Sequence, residues 1–167
     1  MENQTYLQLL KNAFHFLFEN YSYSIVHHVA EDPFWNAQTY LQSNDFIIQI
    51  VNDWCQISLD LKPYNPSKPL KKQLNDFNDF ILILKLLEVP EEKELTLLYE
   101  KILSEMFCED SEWCNVIEKE RGVIQMNVLA NIFEKYYEQI REIFGKEKKA
   151  ITKTKLALLQ KRSVTEL

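Results

Sequence analysis

His27 and His28, followed by Glu31 and Asp32, are the first residues in this 167-residue chain at which to expect a metal ion or a general base. Neighbouring residues on a strand point to opposite faces, so the two imidazoles do not readily share one ion. Metal ligands also come at tighter spacing than this set offers. The third histidine, His15, falls between Phe14 and Phe16 on a helical segment. Asp45, Asp53 and Asp60 could supply an acid–base set. However, Asp45 and Asp53 fall at expected turns, where Asp serves local backbone hydrogen bonds, and Asp60 falls on the polar side of an expected strand. Cys55, Cys108 and Cys114 are odd in number and match no common zinc or redox spacing, so buried free thiols are expected. A Cys–His pair would need Cys55 to meet His15, His27 or His28 in space. No G-x-S-x-G is present. These residue types assign no catalytic residue, no metal site and no cofactor, and the chain does not read as an enzyme.

Two glycines, Gly122 and Gly145, are too few for a loop that wraps backbone N–H groups around a phosphate, and neither GxxxxGK[ST] nor GxGxxG occurs. A classical nucleotide-binding fold is therefore not expected. The aromatic knot Phe34-Trp35 after Pro33 fits core packing or edge covering better than a ligand platform.

Charge is distributed unevenly. Residues 146–167 carry seven Lys or Arg against two Glu, a net +5, while the other 145 residues carry 12 basic and 23 acidic side chains, a net −11. The segment could simply dock on its own acidic body. It could contact nucleic acid through Lys146, Lys148, Lys149, Lys153, Lys155, Lys161 and Arg162, against the repulsion of the body. Alternatively, the acidic body could receive a basic protein, with electrostatic steering of the encounter. The third reading is preferred on sequence grounds, with Asp53, Glu91, Glu92, Glu109, Asp110 and Glu112 as the expected contact residues. The partner would be another protein, such as a basic toxin or effector.

These residues must be carried by an α+β fold. Apolar residues at spacings of three and four predict a first helix over Thr5 to Asn20, capped by Asn3 or Thr5. Alternation then predicts a four-stranded antiparallel meander over about residues 22–61, with Ser43-Asn44-Asp45 and Asn52-Asp53 at turns and one face covered by helices. Pro63, Pro66 and Pro69 make a stiff connector. A mostly helical C-terminal half follows. One helix runs from Leu74 to Leu87, and a second opens at Pro90-Glu91-Glu92. "CEDSEWC" reads as a loop, and Glu112 to Arg121 is either a short helix or the front of a longer one crossing Gly122. Val123 to Phe144 is the clearest helix, closed by Gly145. This gives a single domain over 1–145 and a basic helical tail over 146–167, anchored by Ile151, Leu156 and Leu159. A homodimer could form by pairing the Val123–Phe144 helix between two copies. The N-terminus lacks a signal-peptide pattern and "FILILKLLEV" is too short to span a bilayer, so a soluble, cytoplasmic protein without membrane contact is expected.

Phe14, Phe18 and Tyr21 at the end of the first helix, Asn36 and Tyr40 in the second strand, Ser43 in the turn, and Ile50, Asp53, Leu59 and Leu61 across the last hairpin form a pattern over about the first 60 residues. In this it resembles small bacterial α+β proteins, some of them immunity proteins of toxin–immunity systems. Such families have no catalytic residues to transfer. The resemblance implies a binding role, in which a cognate toxin is blocked by contact.

Overall fold

The computed structural model describes residues 5–30, 36–53, 56–105 and 111–165, with side chains left aside at 105, 111–119 and 163–165. It is an α+β fold: N-terminal helices, a five-stranded antiparallel sheet in the order β1-β2-β3-β4-β5, and a mostly helical C-terminal half.

Helix α1, Tyr6–Ala13, begins at a capping box. The Thr5 N–H donates to Gln8 Oε1 at 2.8 Å and the Gln8 N–H donates back to Thr5 Oγ1 at 3.4 Å, so two helix-terminal donors are satisfied together. The single helix expected over Thr5 to Asn20 is instead two. Phe14 leaves the helical region at φ −99°, ψ 26°, and α2 runs over His15–Asn20. The break has a packing cause. Residues two apart on one helix face nearly opposite sides, yet Phe14, Phe16 and Leu17 are all buried.

The sheet comprises β1, Ser24–Ala30, β2, Asn36–Gln42, β3, Phe46–Asp53, and β4, Gln56–Pro63. Register places Leu41, Ile48 and Leu61 side by side, and likewise Thr39, Ile50 and Leu59, all on the helix-covered face. At the β2–β3 turn the Ser43 hydroxyl accepts from the N–H groups of Asp45 and Phe46, the role expected of that polar cluster. Asn52 and Asp53, expected as a turn, instead continue β3 and pair with Ile57 and Gln56. Residues 31–35 and 54–55, and with them Glu31, Asp32, Phe34, Trp35 and Cys55, lie outside the described residues.

The expected helix from Leu74 to Leu87 is shorter. A 3₁₀ turn covers Leu70–Lys72, and a two-residue strand β5, Asn78–Asp79, pairs with β4; α3 occupies Phe80–Leu86. Asp79 sets that start, because its carboxylate accepts from the Ile81 N–H at 2.7 Å. Helix α4, Glu91–Glu105, opens with three acids in its first turn. Helix α5 is one continuous element, Ser111–Ile143, so it crosses Gly122 and takes in Ser111–Cys114, which the sequence suggests as loop. Met126, Leu129, Ala130, Phe133, Tyr137 and Ile140 bury its stripe against the sheet and the first helices.

Gly145 closes this helix without a left-handed backbone. A Cβ there would stand 3.1 Å from the Glu142 carbonyl oxygen, so the tight approach is what selects glycine. Helix α6, Lys149–Thr165, packs on α3 and buries Thr152 and Leu156. Ile151, expected as an anchor, is 59% exposed; Thr152 faces inward instead, its hydroxyl donating to the Ile143 carbonyl at 2.5 Å. Among the described residues no helix is long and apolar enough to cross a membrane.

Candidate functional site

The connector between β4 and β5 folds around one buried glutamine. Gln73 Oε1 accepts the Asn65 N–H at 2.9 Å, and its Nε2 donates to the Asn65 and Lys68 carbonyls at 2.9 and 2.8 Å. Asn65 Oδ1 accepts the Ser67 N–H, and the Tyr64 N–H reaches back to the Asp45 carbonyl. With Pro63, Pro66 and Pro69 restricting the backbone, this segment holds a fixed shape despite lacking regular structure. It presents Lys62, Lys68 and Lys72 toward the first turns of α6, which supply Lys149 and Lys153.

Between them lies a cleft of about 490 Å³. Five lysines line it, with Asn65, Gln73, Asn75 and Asn78 as polar company and Asp76 as the lining acid. Lys62 is anchored: its Nζ donates to the Asn75 carbonyl at 2.6 Å and stands 5.6 Å from the Phe77 ring centroid. Burial pulls the Lys62 ammonium below the ordinary lysine range, Asp76 opposing and Lys68 adding to the shift. Amide groups and flexible ammonium groups converging on a concave surface form a donor-rich pocket suited to phosphate or carboxylate oxygens.

A second cleft of about 540 Å³ adjoins the first, sharing Asp76, Asn78 and Lys153 with it. Its character is opposite. Asp60 and Asp79 face one another across β4 and β5. Burial, then the charge of Asp79, push the Asp60 carboxyl up to about 6. Desolvation raises the Asp79 carboxyl as well, opposed by the Ile81 and Leu82 N–H groups it accepts, although its side chain reaches solvent at the cleft rim. Phe77 also borders this cleft, its ring 5.9 Å from that of Tyr40.

The acids expected to contact a partner are dispersed or engaged. Asp53 is exposed at the end of β3. Glu91 is bound internally to the ammonium of Lys135 and, at 2.6 Å, to the hydroxyl of Tyr136; these hydrogen bonds, Lys135 first, hold its carboxyl down at about 2. The neighbouring Glu92 is half-buried, its backbone carbonyl taken by Thr96. Glu109 and Asp110 lie outside the described residues, as does the side chain of Glu112.

The basic residues divide. Lys149 and Lys153 enter the lysine cleft, Lys148 pairs with Glu142, and Lys155 and Arg162 line a smaller cleft of about 270 Å³ with Lys85. Lys146 and Lys161 are exposed. Sequence reasoning missed Lys62, Lys68 and Lys72. The signal was the acid-free run "KPYNPSKPLKK", whose prolines drew attention away from its lysines.

His27 and His28 sit on opposite faces, His27 beside Tyr40 and His28 hydrogen-bonded to the buried Thr39 at 2.9 Å. Among the described residues no group of three His, Cys, Asp or Glu side chains could hold a metal ion. Comparison of the chain with models of protein families, with curated proteins and with solved structures finds nothing that matches.

Proposed function

We propose that the protein binds single-stranded nucleic acid, with the sugar–phosphate backbone seated in the lysine cleft. The observation that carries this reading is the convergence of Lys62, Lys68 and Lys72 with Lys149 and Lys153 around one concavity. Non-specific strand binding needs a positive groove bordered by aromatic faces, and Phe144 and Phe77 border the two clefts. A duplex presents its phosphates on a convex surface, whereas a single strand can enter a recess. The formal net charge of −6 opposes a polyanion at a distance. Screening at physiological salt confines that repulsion to about 8 Å, so at contact the local lysines dominate. The competing proposal, an acidic docking surface for a basic protein, draws its support from the acidic excess of the chain and loses Glu91 to its internal ion pair.

Fluorescence anisotropy of a labelled 12-mer, single-stranded and duplex, tests the reading. With four neutralised phosphates, raising salt from about 50 to about 200 mM should weaken single-strand binding about fifty-fold. The combined Lys68→Ala, Lys72→Ala, Lys149→Ala and Lys153→Ala variant should lose most of both the affinity and the salt dependence. Absence of binding at low salt, or a variant that binds as the parent does, would exclude this function.

A further inference from the structure

The two adjoining clefts have opposite charge, and this constrains how a strand can lie across them. A phosphate is favoured among Lys68, Lys72 and Lys149 and repelled from Asp60 and Asp79. A nucleobase carries no net charge, so it can lie against Asp60 and Asp79 where a phosphate is repelled, while Lys153 lines both clefts at their shared edge. Phe77 lines the acidic cleft beside the carboxylate pair, half-buried, with the Lys62 ammonium over its ring and the Tyr40 ring 5.9 Å away, so an aromatic edge borders the junction of the clefts. A carboxylate accepts hydrogen bonds, and the matching donor on a base is an exocyclic amino group.

Resting on the single-strand reading above, we propose that the groove is selective for bases: the nucleobase turned into the second cleft donates its exocyclic amino group to Asp60 and Asp79, so that cytosine is preferred over thymine. Thymine presents a carbonyl oxygen where cytosine presents the amino group, and that oxygen meets two acceptors. The lysines thus set affinity and the aspartates set base choice. Ionisation of Asp60, with its carboxyl near 6, leaves the acceptor form in place at pH 7.5.

Anisotropy titrations with oligo(dC) and oligo(dT) 12-mers at pH 7.5 separate the two levels of the reading. The expected result is binding of both, with oligo(dC) about fivefold to tenfold tighter. Asp60→Asn, an isosteric change, adds an amide donor and should abolish the preference while leaving oligo(dT) bound. Asp79→Asn, which retains an oxygen able to cap α3, should act in the same direction. Equal binding of the two strands by the parent protein would overturn base selection and leave strand binding standing. A preference that survives both Asn variants would also overturn it. Failure of both strands to bind would remove the nucleic-acid reading itself.

Discussion

The backbone N–H of Ile57 donates to Gln125 Oε1 at 2.7 Å, tying the start of β4 to the middle of α5. The Ile57 carbonyl is taken by α4, accepting the Tyr99 hydroxyl at 2.7 Å. Strand β5 pairs with β4 only at Asp60 and Leu61, so this stretch of the β4 edge relies on side chains for its hydrogen bonds. Gln125→Ala should leave a buried N–H unpaired and cost about 1–3 kcal/mol, measured by urea unfolding. A loss near zero would mean that water or a shifted strand satisfies Ile57.

Asp60 gives stability a pH dependence of definite sign. Between about pH 4 and 6 the unfolded carboxyl is ionised while the folded one keeps its proton, so stability falls as pH rises through that window. A rise of about two units corresponds to roughly 3 kcal/mol, which partial exposure to solvent reduces to about 1–2 kcal/mol. Asp60→Asn should therefore stabilise the protein by about that amount at pH 7.5 and hardly at all at pH 4. Equal effects at both pH values would show that Asp60 titrates normally.

His28 acts in the opposite sense. Burial, then the neighbouring His27, lower its pKa, so protonation is disfavoured while the ring hydrogen-bonds to Thr39 and stacks 5.9 Å from Tyr6. Its contribution is complete above about pH 6.5 and is lost as pH falls through the lowered value. Thermal melts of His28→Gln should show a shallower decline between pH 7 and 5 than the parent. A slope unchanged by the substitution would assign that decline to other groups.

The segment 146–167 reads in sequence as a basic tail, yet α6 packs on α3 with Leu156 and Thr152 buried. Leu156→Ala should cost about 2–3 kcal/mol, and deletion of 146–167 should lower the melting temperature. Loss of nucleic-acid binding on truncation would then mix unfolding with loss of contacts, so point variants of the lysines are the cleaner test. A truncated chain melting at the parental temperature would show that α6 adds nothing to stability.

The meander was legible because strict alternation at Gln56–Leu61 has no helical interpretation and the apolar run Phe46–Val51 is bounded by polar clusters, and the α5 stripe because its apolar residues repeat over several turns. Strand β5 was not, since two residues carry no period and Asn78-Asp79 precedes an apolar run that continues as helix. Asp79 serves at once as strand partner and helix cap, and neither role shows in its neighbours along the chain. The lysine cleft was half legible. Lys149 and Lys153 stood out by local charge, but their meeting with Lys62, Lys68 and Lys72 depends on how α6 docks, which no local pattern encodes.

Strand order along the sheet repeats strand order along the chain, and every pairing joins neighbours in sequence. The connections from β1 through β4 are short and close at small entropic cost, whereas β5 returns to β4 only after residues 64–77, so the four-stranded meander can assemble early, before α5 is available to cover it. This order predicts that the 33 residues of α5 dock after the meander has formed. Substitutions within the β2–β3 hairpin should chiefly slow refolding, while Phe133→Leu should chiefly speed unfolding, as chevron kinetics can distinguish. The reverse assignment would place the long helix, and not the meander, at the nucleus.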